Sequence, residues 1–385
     1  MNKSTTIFLL FSVCFFVFCS NSTEKTLQNI VYDFIEVEKV ITGAISDSAF
    51  PGAVILIWKD GEIICEKPFG HFTYGQNSTK VKLNTIYDLA SLTKVLATTT
   101  GAMICIDKKL FSLNDEVARY IPSFASNGKE NVTIKNLLLH NSGLPAWKQY
   151  YNKDLPLEGI LQDIYNSEIE FKPGTKTVYS DLGMIVLGKV IEEVSNKSLD
   201  EFCKEKIFNP LKMNDTFFNP PDSLNDRIPP TENDNYWRMK LIRGEVHDEN
   251  ASLLGGAAGH AGLFSTAGDI AKLLEILITN GNVNGDQFIQ KETVELFTSK
   301  KNSKNKRLLG WNLKSEKGSS AGNKFSTESF GHTGFTGTSI WIDPARNLFV
   351  VFLTNRVYPS RENKKILQVR PKLHDAVIDA IERGQ

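Results

Sequence analysis

The chain reads as an α+β protein: one antiparallel sheet, flanked by helices and built from both ends of the polypeptide, around a mainly helical insertion. Three observations lead there. Near the N-terminus, "PGAVILIWKDGEIICEKPFG" sets two apolar runs on either side of Lys59-Asp60-Gly61, and Asp-Gly between such runs is a strong hairpin signal. Near the C-terminus, "SFGHTGFTGTSIWIDPARNLFVVFLTN" supplies more strands about a Pro-Ala-Arg-Asn turn. Between them, from Ser91 to about Phe208, apolar residues recur at helical spacing. Strands at both ends around helices predict a single sheet shared by the two termini.

Taken in order, residues 1–20 read as a secretory signal, with Lys3 ahead of an apolar stretch from Ile7 to Phe18 and then a polar exit. The stretch is too short for a comfortable membrane span. Cys19 offers a lipid-anchor site, but Phe18 stands where such sites carry a small residue; acylation and ordinary cleavage near Ser20 or Asn21 both stay open. The expected location is therefore secreted, periplasmic or outer-surface, with membrane contact only through that anchor. Residues 27–385 form the folded domain, its α/β part made of 27–86 and 255–385 and its mainly helical part of 87–254.

An amphipathic helix, "TLQNIVYDFIEVEKVITGAI", precedes the hairpin, and the insertion holds helices at "TIKNLLLH", "LPLEGILQDIYNS", "DLGMIVLGKVIEEVSN" and "SLDEFCKEKIF". A long segment rich in Pro, Asn, Asp and Gly follows, from Asn219 to Gly262. Irregular stretches of this length inside a compact enzyme are usually functional or disordered. Trp237, Arg238, His247 and Asp248 within it favour function. Helices close the chain at "STAGDIAKLLEILITNG" and, after the strands, at "KLHDAVIDAIER".

With 385 residues, 41% of them hydrophobic, the chain can bury a large core. Formal net charge is zero and no basic stripe extends beyond residues 299–307, which excludes nucleic acid as an expected partner. Beyond the signal, Cys65, Cys105 and Cys203 sit widely spaced in apolar or amphipathic contexts and read as buried thiols. The six histidines are scattered without an H-E-x-x-H and no Cys/His cluster occurs, so neither a metal nor another cofactor is expected. Oligomeric state is not legible.

Serine and lysine at an offset of three occur four times: Ser22/Lys25, Ser91/Lys94, Ser126/Lys129 and Ser303/Lys306. Three lie in polar, turn-like or terminal stretches and read as solvated. Only Ser91 opens an apolar helical run, "SLTKVLATTTGAMIC". That offset puts both side chains on one helix face, where a desolvated amine could help remove the serine proton. The alternative is a capping serine followed by a lysine that reaches outward to solvent.

Two further stretches bear on the choice. "FKPGTKTVYSDLG" sets Tyr179-Ser180-Asp181 after a Pro-Gly turn and before a helix, and "GHTGFTG" sets His332-Thr333-Gly334 on a strand. A second Tyr-x-Asn, at Tyr150/Asn152, lacks the preceding turn. With Ser91-x-x-Lys94, these resemble the S-x-x-K, Y-x-N and K-T-G elements of the serine β-lactamase and penicillin-binding protein superfamily. The similarity runs from about Phe50 to the C-terminus, and is nearest the class C β-lactamase-related hydrolases, which include D-peptidases and esterases. The segment "WRMKLIRGEVHDENASLLGGAAGHAGLFSTA" is similar to a cell-wall-turnover subgroup, sometimes joined to glucosaminidase domains, whose members include N-acetylmuramyl-L-alanine amidases.

The resemblance implies a β-lactamase/transpeptidase-like fold and a hydrolase working through an acyl-enzyme on Ser91. Lys94 and Tyr179 would share the proton traffic, a tyrosinate flanked by cations serving as base, and the N–H groups of Ser91 and Phe335 would form the oxyanion hole. Asp181, His332, Thr333 and Gly334 would contact substrate, Gly334 by leaving the strand edge open. His332 replaces the usual lysine, a weaker anchor for a carboxylate, which argues against an efficient β-lactamase. Asp181 replaces the usual asparagine and can only accept, from an N–H, a hydroxyl or an amine. Arg238, His247 and His260 would either bind a sugar or satisfy one another within the loop. The expected substrate is a small molecule or muropeptide; a broad carboxylesterase, a weak β-lactamase and a slow-turnover muropeptide sensor are the alternatives.

Overall fold

The computed structural model describes residues 31–283, 285–302 and 307–384. The leader, Cys19 and the pairs Ser22/Lys25 and Ser303/Lys306 lie outside the described residues. Helix α1 (Ile35–Ser46) leads into β1 (Gly52–Lys59) and β2 (Glu62–Gly70). The Asp60-Gly61 turn joining the strands has φ of 51° and 103°. Two left-handed residues match the twist of a two-residue hairpin, which is why Asp-Gly marks it.

Past this hairpin, β3 (Tyr87–Asp88), β4 (Phe217–Phe218) and β5 (Leu263–Ser265) make a small antiparallel sheet in the order β3-β5-β4. Helices α2 (Thr100–Asp107) and α3 (Asp181–Ser195) belong to the helical part, and α4 (Ala267–Ile278) returns the chain toward the main sheet. The strands that complete the main sheet are β6 (Asn312–Leu313), β7 (Phe330–Thr333), β8 (Ser339–Asp343) and β9 (Leu348–Thr354), before helix α5 (Ile366–Arg383).

The main sheet has the order β6-β7-β8-β9-β1-β2, with antiparallel pairing between its neighbours. The termini meet where Ala53 to Lys59 pair with Thr354 to Leu348. Strand β1 is buried along its whole length, so it reads as an unbroken apolar run rather than an alternation. One face packs Ile55, Ile57, Val350 and Phe352 under α1 and α5. The other packs Val54, Leu56, Phe349 and Val351 into the larger core shared with α4 and the helical part. Among the described residues, no helix is long and apolar enough to cross a membrane, and no cluster of His, Cys, Asp and Glu could hold a metal ion.

Candidate active site

The small sheet delivers Ser91. At the end of β3, the buried Asp88 carboxylate accepts the Ala90 N–H at 2.8 Å and the His247 N–H at 2.7 Å. Ala90 is thereby held at φ 46°, a left-handed conformation that costs a β-carbon-bearing residue about 1–3 kcal/mol. Thr93 Oγ1 donates to the Ala90 carbonyl at 2.7 Å and accepts the Leu263 N–H at 3.0 Å. Ser91 therefore emerges from a bend clamped on both sides.

The helix that follows departs from the expected α geometry. Ala90–Leu92 is a 3-10 turn and Lys94–Thr99 a π-helix before α2 begins. Thr99 Oγ1 donates to the Lys94 carbonyl at 2.7 Å and Thr100 Oγ1 to Val95 at 3.0 Å. Each hydroxyl reaches five residues back, supporting the widened turn.

Lys94 does not reach outward. Its side chain is fully buried, and Nζ donates to Ser91 Oγ at 2.9 Å and to the His260 carbonyl at 2.8 Å. It also hydrogen-bonds the Tyr179 hydroxyl and lies 2.8 Å from Asp181 Oδ1. Four oxygens thus surround three N–H groups, and Asp181 Oδ1 is buried without a well-aligned hydrogen bond. Its contact with Lys94 is chiefly Coulombic. Burial acts to lower the Lys94 pKa, but Asp181 and Tyr179 outweigh it and hold the ammonium at about 12. Lys94 is therefore charged at neutral pH, contrary to the expectation of an easily deprotonated amine.

Tyr179 and Asp181 are set by the start of α3. Ser180 caps that helix by accepting the Gly183 N–H at 3.1 Å, and it donates to the Pro145 carbonyl at 2.6 Å and, from its N–H, to His140 Nδ1 at 3.0 Å. His140 stacks on the Tyr179 ring at 4.7 Å, and the Tyr179 hydroxyl bonds both Ser91 and Lys94. Burial raises the Tyr179 pKa above the ordinary tyrosine range despite the opposing pull of Lys94. A standing tyrosinate is thus not the resting state. The rival Tyr150 is wholly buried and bonds Asp163 Oδ2 at 2.7 Å.

Strand β7 forms the opposite wall. His332 is 2% exposed, its Nδ1 lies 3.0 Å from the Thr333 carbonyl, and burial with Arg307 and Lys94 nearby holds the imidazole well below the ordinary histidine range. Gly334 serves a different purpose from the one expected. A Cβ there would meet Thr338 Oγ1 at 2.1 Å and the Leu89 carbonyl at 2.4 Å, so the missing side chain admits the segment that carries Ser91 rather than substrate. Thr336 Oγ1 and Thr338 Oγ1 donate to the Asp88 and Leu89 carbonyls at 2.7 and 3.1 Å. Phe335 lies in this turn, whose internal bonds use the N–H groups of Gly334 and Gly337.

Ser91, Tyr179, His332, Thr333, Gly334 and Phe335 line one cavity of about 750 Å³. Asp181 sits behind it on Lys94. Arg238, His247 and His260 are not in its walls, and most of their polar atoms are used within the protein, although Arg238 Nε and His260 Nδ1 are buried without a hydrogen-bond partner. Arg238 donates to the Val246 and His247 carbonyls, His247 Nε2 lies 2.8 Å from Glu232 Oε2, and His260 Nε2 lies 2.9 Å from Asp248 Oδ1. The long loop thus uses these side chains largely within itself and shapes the cleft, with His247 stacked on Phe335 at 5.6 Å.

Arg307 was hidden in a cationic run that reads as solvated. It lines the cavity over the Tyr179 ring, 5.7 Å from its centroid. Lys129 also belies its polar neighbourhood: it is fully buried and donates to the Ser126 and Ser167 carbonyls. The Ser126 hydroxyl instead donates to Tyr165 O at 3.2 Å, so this second pair lacks the Ser91–Lys94 contact.

The beta-lactamase family model matches residues 37–372. A protein of Escherichia coli strain K12, named as a candidate D-alanyl-D-alanine carboxypeptidase, is 33% identical over 344 residues, covering 80% of this chain and 79% of its own. The N-acetylmuramyl-L-alanine amidase of Bacillus subtilis strain 168 is 30% identical over 359 residues, covering 83% and 81%. Among solved structures, a penicillin-binding protein homologue from Caulobacter crescentus matches with a TM-score of 0.70 at 19% identity, over 90% of this chain and 97% of its own. A family VIII carboxylesterase matches at 0.69 and 21% identity, over 90% and 97%; these two likenesses concern the fold.

Proposed function

Because the chain belongs to the beta-lactamase family of serine hydrolases, we propose that it cleaves an amide or ester bond of a peptidoglycan-derived substrate through an acyl-enzyme on Ser91. The observation that carries this reading is the contact of one serine hydroxyl with both Lys94 Nζ, at 2.9 Å, and the Tyr179 hydroxyl. The substrate class rests on the names of the relatives at 33% and 30% identity. The same reading takes the chain across the cytoplasmic membrane, because its first residues carry a leader pattern and peptidoglycan lies beyond.

Ser91 Oγ attacks the carbonyl carbon, and the carbonyl oxygen becomes an oxyanion facing the N–H groups of Ser91 and Phe335. Lys94, already an ammonium, cannot take the serine proton. Neutral Tyr179 can take it only while releasing its own, so the transfer is a relay: the Ser91 proton passes to the Tyr179 oxygen as the Tyr179 proton passes to the leaving nitrogen or oxygen. The Lys94 charge stabilises the phenol oxygen as negative charge develops on it, and Asp181 keeps that charge in place. Deacylation runs the relay again, a water proton moving to Tyr179 as the Tyr179 proton returns to Ser91.

The test is a comparison of wild type with Ser91→Ala and Ser126→Ala on muropeptides, D-alanyl-D-alanine peptides, p-nitrophenyl esters and nitrocefin, with intact-mass analysis of fluorophosphonate adducts. Ser91→Ala should lose turnover and labelling while Ser126→Ala keeps both, and a cell-wall fragment should be turned over faster than nitrocefin. An adduct on another residue would end the assignment, and nitrocefin hydrolysis rivalling the best substrate would make the protein a β-lactamase. A broad carboxylesterase is the second reading, favoured by the apolar side chains of Phe335 and Leu367, which are 47% and 63% exposed and line the cavity.

A further inference from the structure

The N–H groups of Ser91 and Phe335 each belong to an amide whose carbonyl is gripped on its far side by a buried side chain. Both amides are trans. In a planar trans peptide the N–H and C=O point in opposite directions, so a hydrogen bond that holds the carbonyl also aims the N–H. The Phe335 N–H shares its amide with the Gly334 carbonyl. Arg370 on α5, only 4% exposed, donates from Nη2 to that carbonyl at 2.9 Å and to the Thr338 carbonyl at 2.8 Å. The Ser91 N–H shares its amide with the Ala90 carbonyl, which accepts the hydroxyl of the wholly buried Thr93 at 2.7 Å.

Neither side chain is needed merely to satisfy those oxygens. The Gly334 carbonyl also accepts the Gly337 N–H at 3.2 Å, the Thr338 carbonyl accepts the Gly334 N–H at 2.8 Å, and the Ala90 carbonyl accepts the Thr93 N–H. Among the described residues no carboxylate pairs with Arg370, and a buried guanidinium without one lowers stability. Burial, with Arg356 nearby, pushes its pKa down to about 9. What Arg370 adds is a cation on the Gly334 oxygen, which fixes the amide plane and polarises it, so that the Phe335 N–H becomes a stronger donor.

We propose that Arg370 and Thr93 are positioning residues of the oxyanion hole, each holding from behind the amide that presents an N–H to the substrate oxygen. This rests on the acyl-enzyme reading and adds to it: two side chains set the hole through backbone carbonyls, without touching the reacting atoms.

Arg370→Met, Thr93→Val and Thr93→Ser test this with a neutral p-nitrophenyl ester, for which charge recognition plays no part, and with a boronic acid whose tetrahedral form places an oxygen where the oxyanion develops. Arg370→Met and Thr93→Val should each lower kcat by about ten- to a hundredfold, less than the loss of a whole donor, with KM within about threefold of wild type. Boronic-acid affinity should fall in step with kcat/KM, as for a transition-state analogue. Thr93→Ser keeps the hydroxyl and should restore the rate. Because replacing a buried cation with an apolar side chain removes its desolvation cost, Arg370→Met should melt no lower than wild type, a pairing of slower chemistry with undiminished stability that a purely structural arginine does not give. An unchanged kcat in Arg370→Met, or a kcat loss that boronic-acid affinity does not follow, overturns the role of Arg370; Thr93→Ser as slow as Thr93→Val overturns that of Thr93. Arg370→Lys, which keeps the cation but not the fork, should lose less than Arg370→Met and carries the test if the latter fails to fold. Absence of a fluorophosphonate adduct on Ser91 in wild type would instead sink the hydrolase reading, whereas a wild-type adduct with unchanged variant kinetics sinks the positioning roles alone.

Discussion

Lys94 Nζ and Asp181 Oδ1 lie 2.8 Å apart, with Lys94 wholly buried. This contact explains why an aspartate can stand where the family pattern has asparagine: the amine it receives belongs to the protein. Asp181→Asn should remove the larger of the two attractions that hold the Lys94 ammonium at about 12. The sign is fixed by the raised value. Stability from this pairing is complete below the ordinary lysine range and is lost as pH rises through about 12. In the variant, the alkaline limb of the kcat/KM profile should move down by at least about one pH unit, measured with a neutral ester. An unmoved limb would mean that Lys94 does not set it.

Lys94 and Tyr179 touch the same serine hydroxyl and each other. Lys94→Ala and Tyr179→Phe should each lower kcat by several orders of magnitude, and the double variant should be little worse than either, as for groups that act as one unit. Additive losses across the four proteins would separate their roles.

Gly334→Ala should damage chemistry more than binding. Its Cβ would push on the Leu89 carbonyl from 2.4 Å, displacing the segment that carries Ser91 away from Phe335. A kcat loss on the order of 10²–10³, the usual effect of removing one oxyanion donor, is expected with a smaller change in KM. Adding Thr338→Ala relieves only one of the two clashes and should not restore the rate. Recovery to wild-type kcat in that double variant would show that Leu89 is not the sensitive contact.

Three buried histidines make the fold sensitive to acid. Burial holds His140 and His332 well below the ordinary range and lowers His374 to about 4. Each takes up a proton on unfolding once pH falls below about 6.5. Their contribution to stability is therefore present above that pH and lost below it, at about 1.4 kcal/mol per pH unit for each proton. Denaturant titrations between pH 7 and 5 should show the decline, reduced in His374→Gln. Because burial, with Arg307 and Lys94 nearby, opposes protonation of His332, acylation by penicillins should not strengthen on mild acidification; a clear rise would contradict its buried state.

The hairpin at Asp60-Gly61, the Ser91–Lys94 spacing and the Tyr179 turn were legible because each depends on neighbours within a few residues. Protonation was not. Whether Lys94 is charged depends on Asp181, almost ninety residues away in sequence, and on burial that S-x-x-K cannot report. Arg307 follows a run of lysines and asparagines, and no local period distinguishes it from them; only the fold brings it over the Tyr179 ring. Gly334 was visible as a glycine, but the carbonyl that requires it lies on Leu89, in the other half of the chain. The polar side chains of the long loop were visible too, yet composition does not distinguish outward partners from the internal ones that Arg238, His247 and His260 use.

The pairing of Ala53 with Thr354 joins positions about three hundred residues apart. Contacts this distant form late, since the chain must close a long loop before they are rewarded. During vectorial synthesis, the N-terminal hairpin waits beside an empty place in the sheet, and Ser91 is made long before the turn that grips the Asp88 and Leu89 carbonyls exists. On the proposed mechanism, a nascent chain, or one truncated before Phe335, would therefore have Ser91 without the Phe335 N–H. On that reading, hydrolytic competence would arrive only with the strands that flank Phe335, after most of the polypeptide has been made.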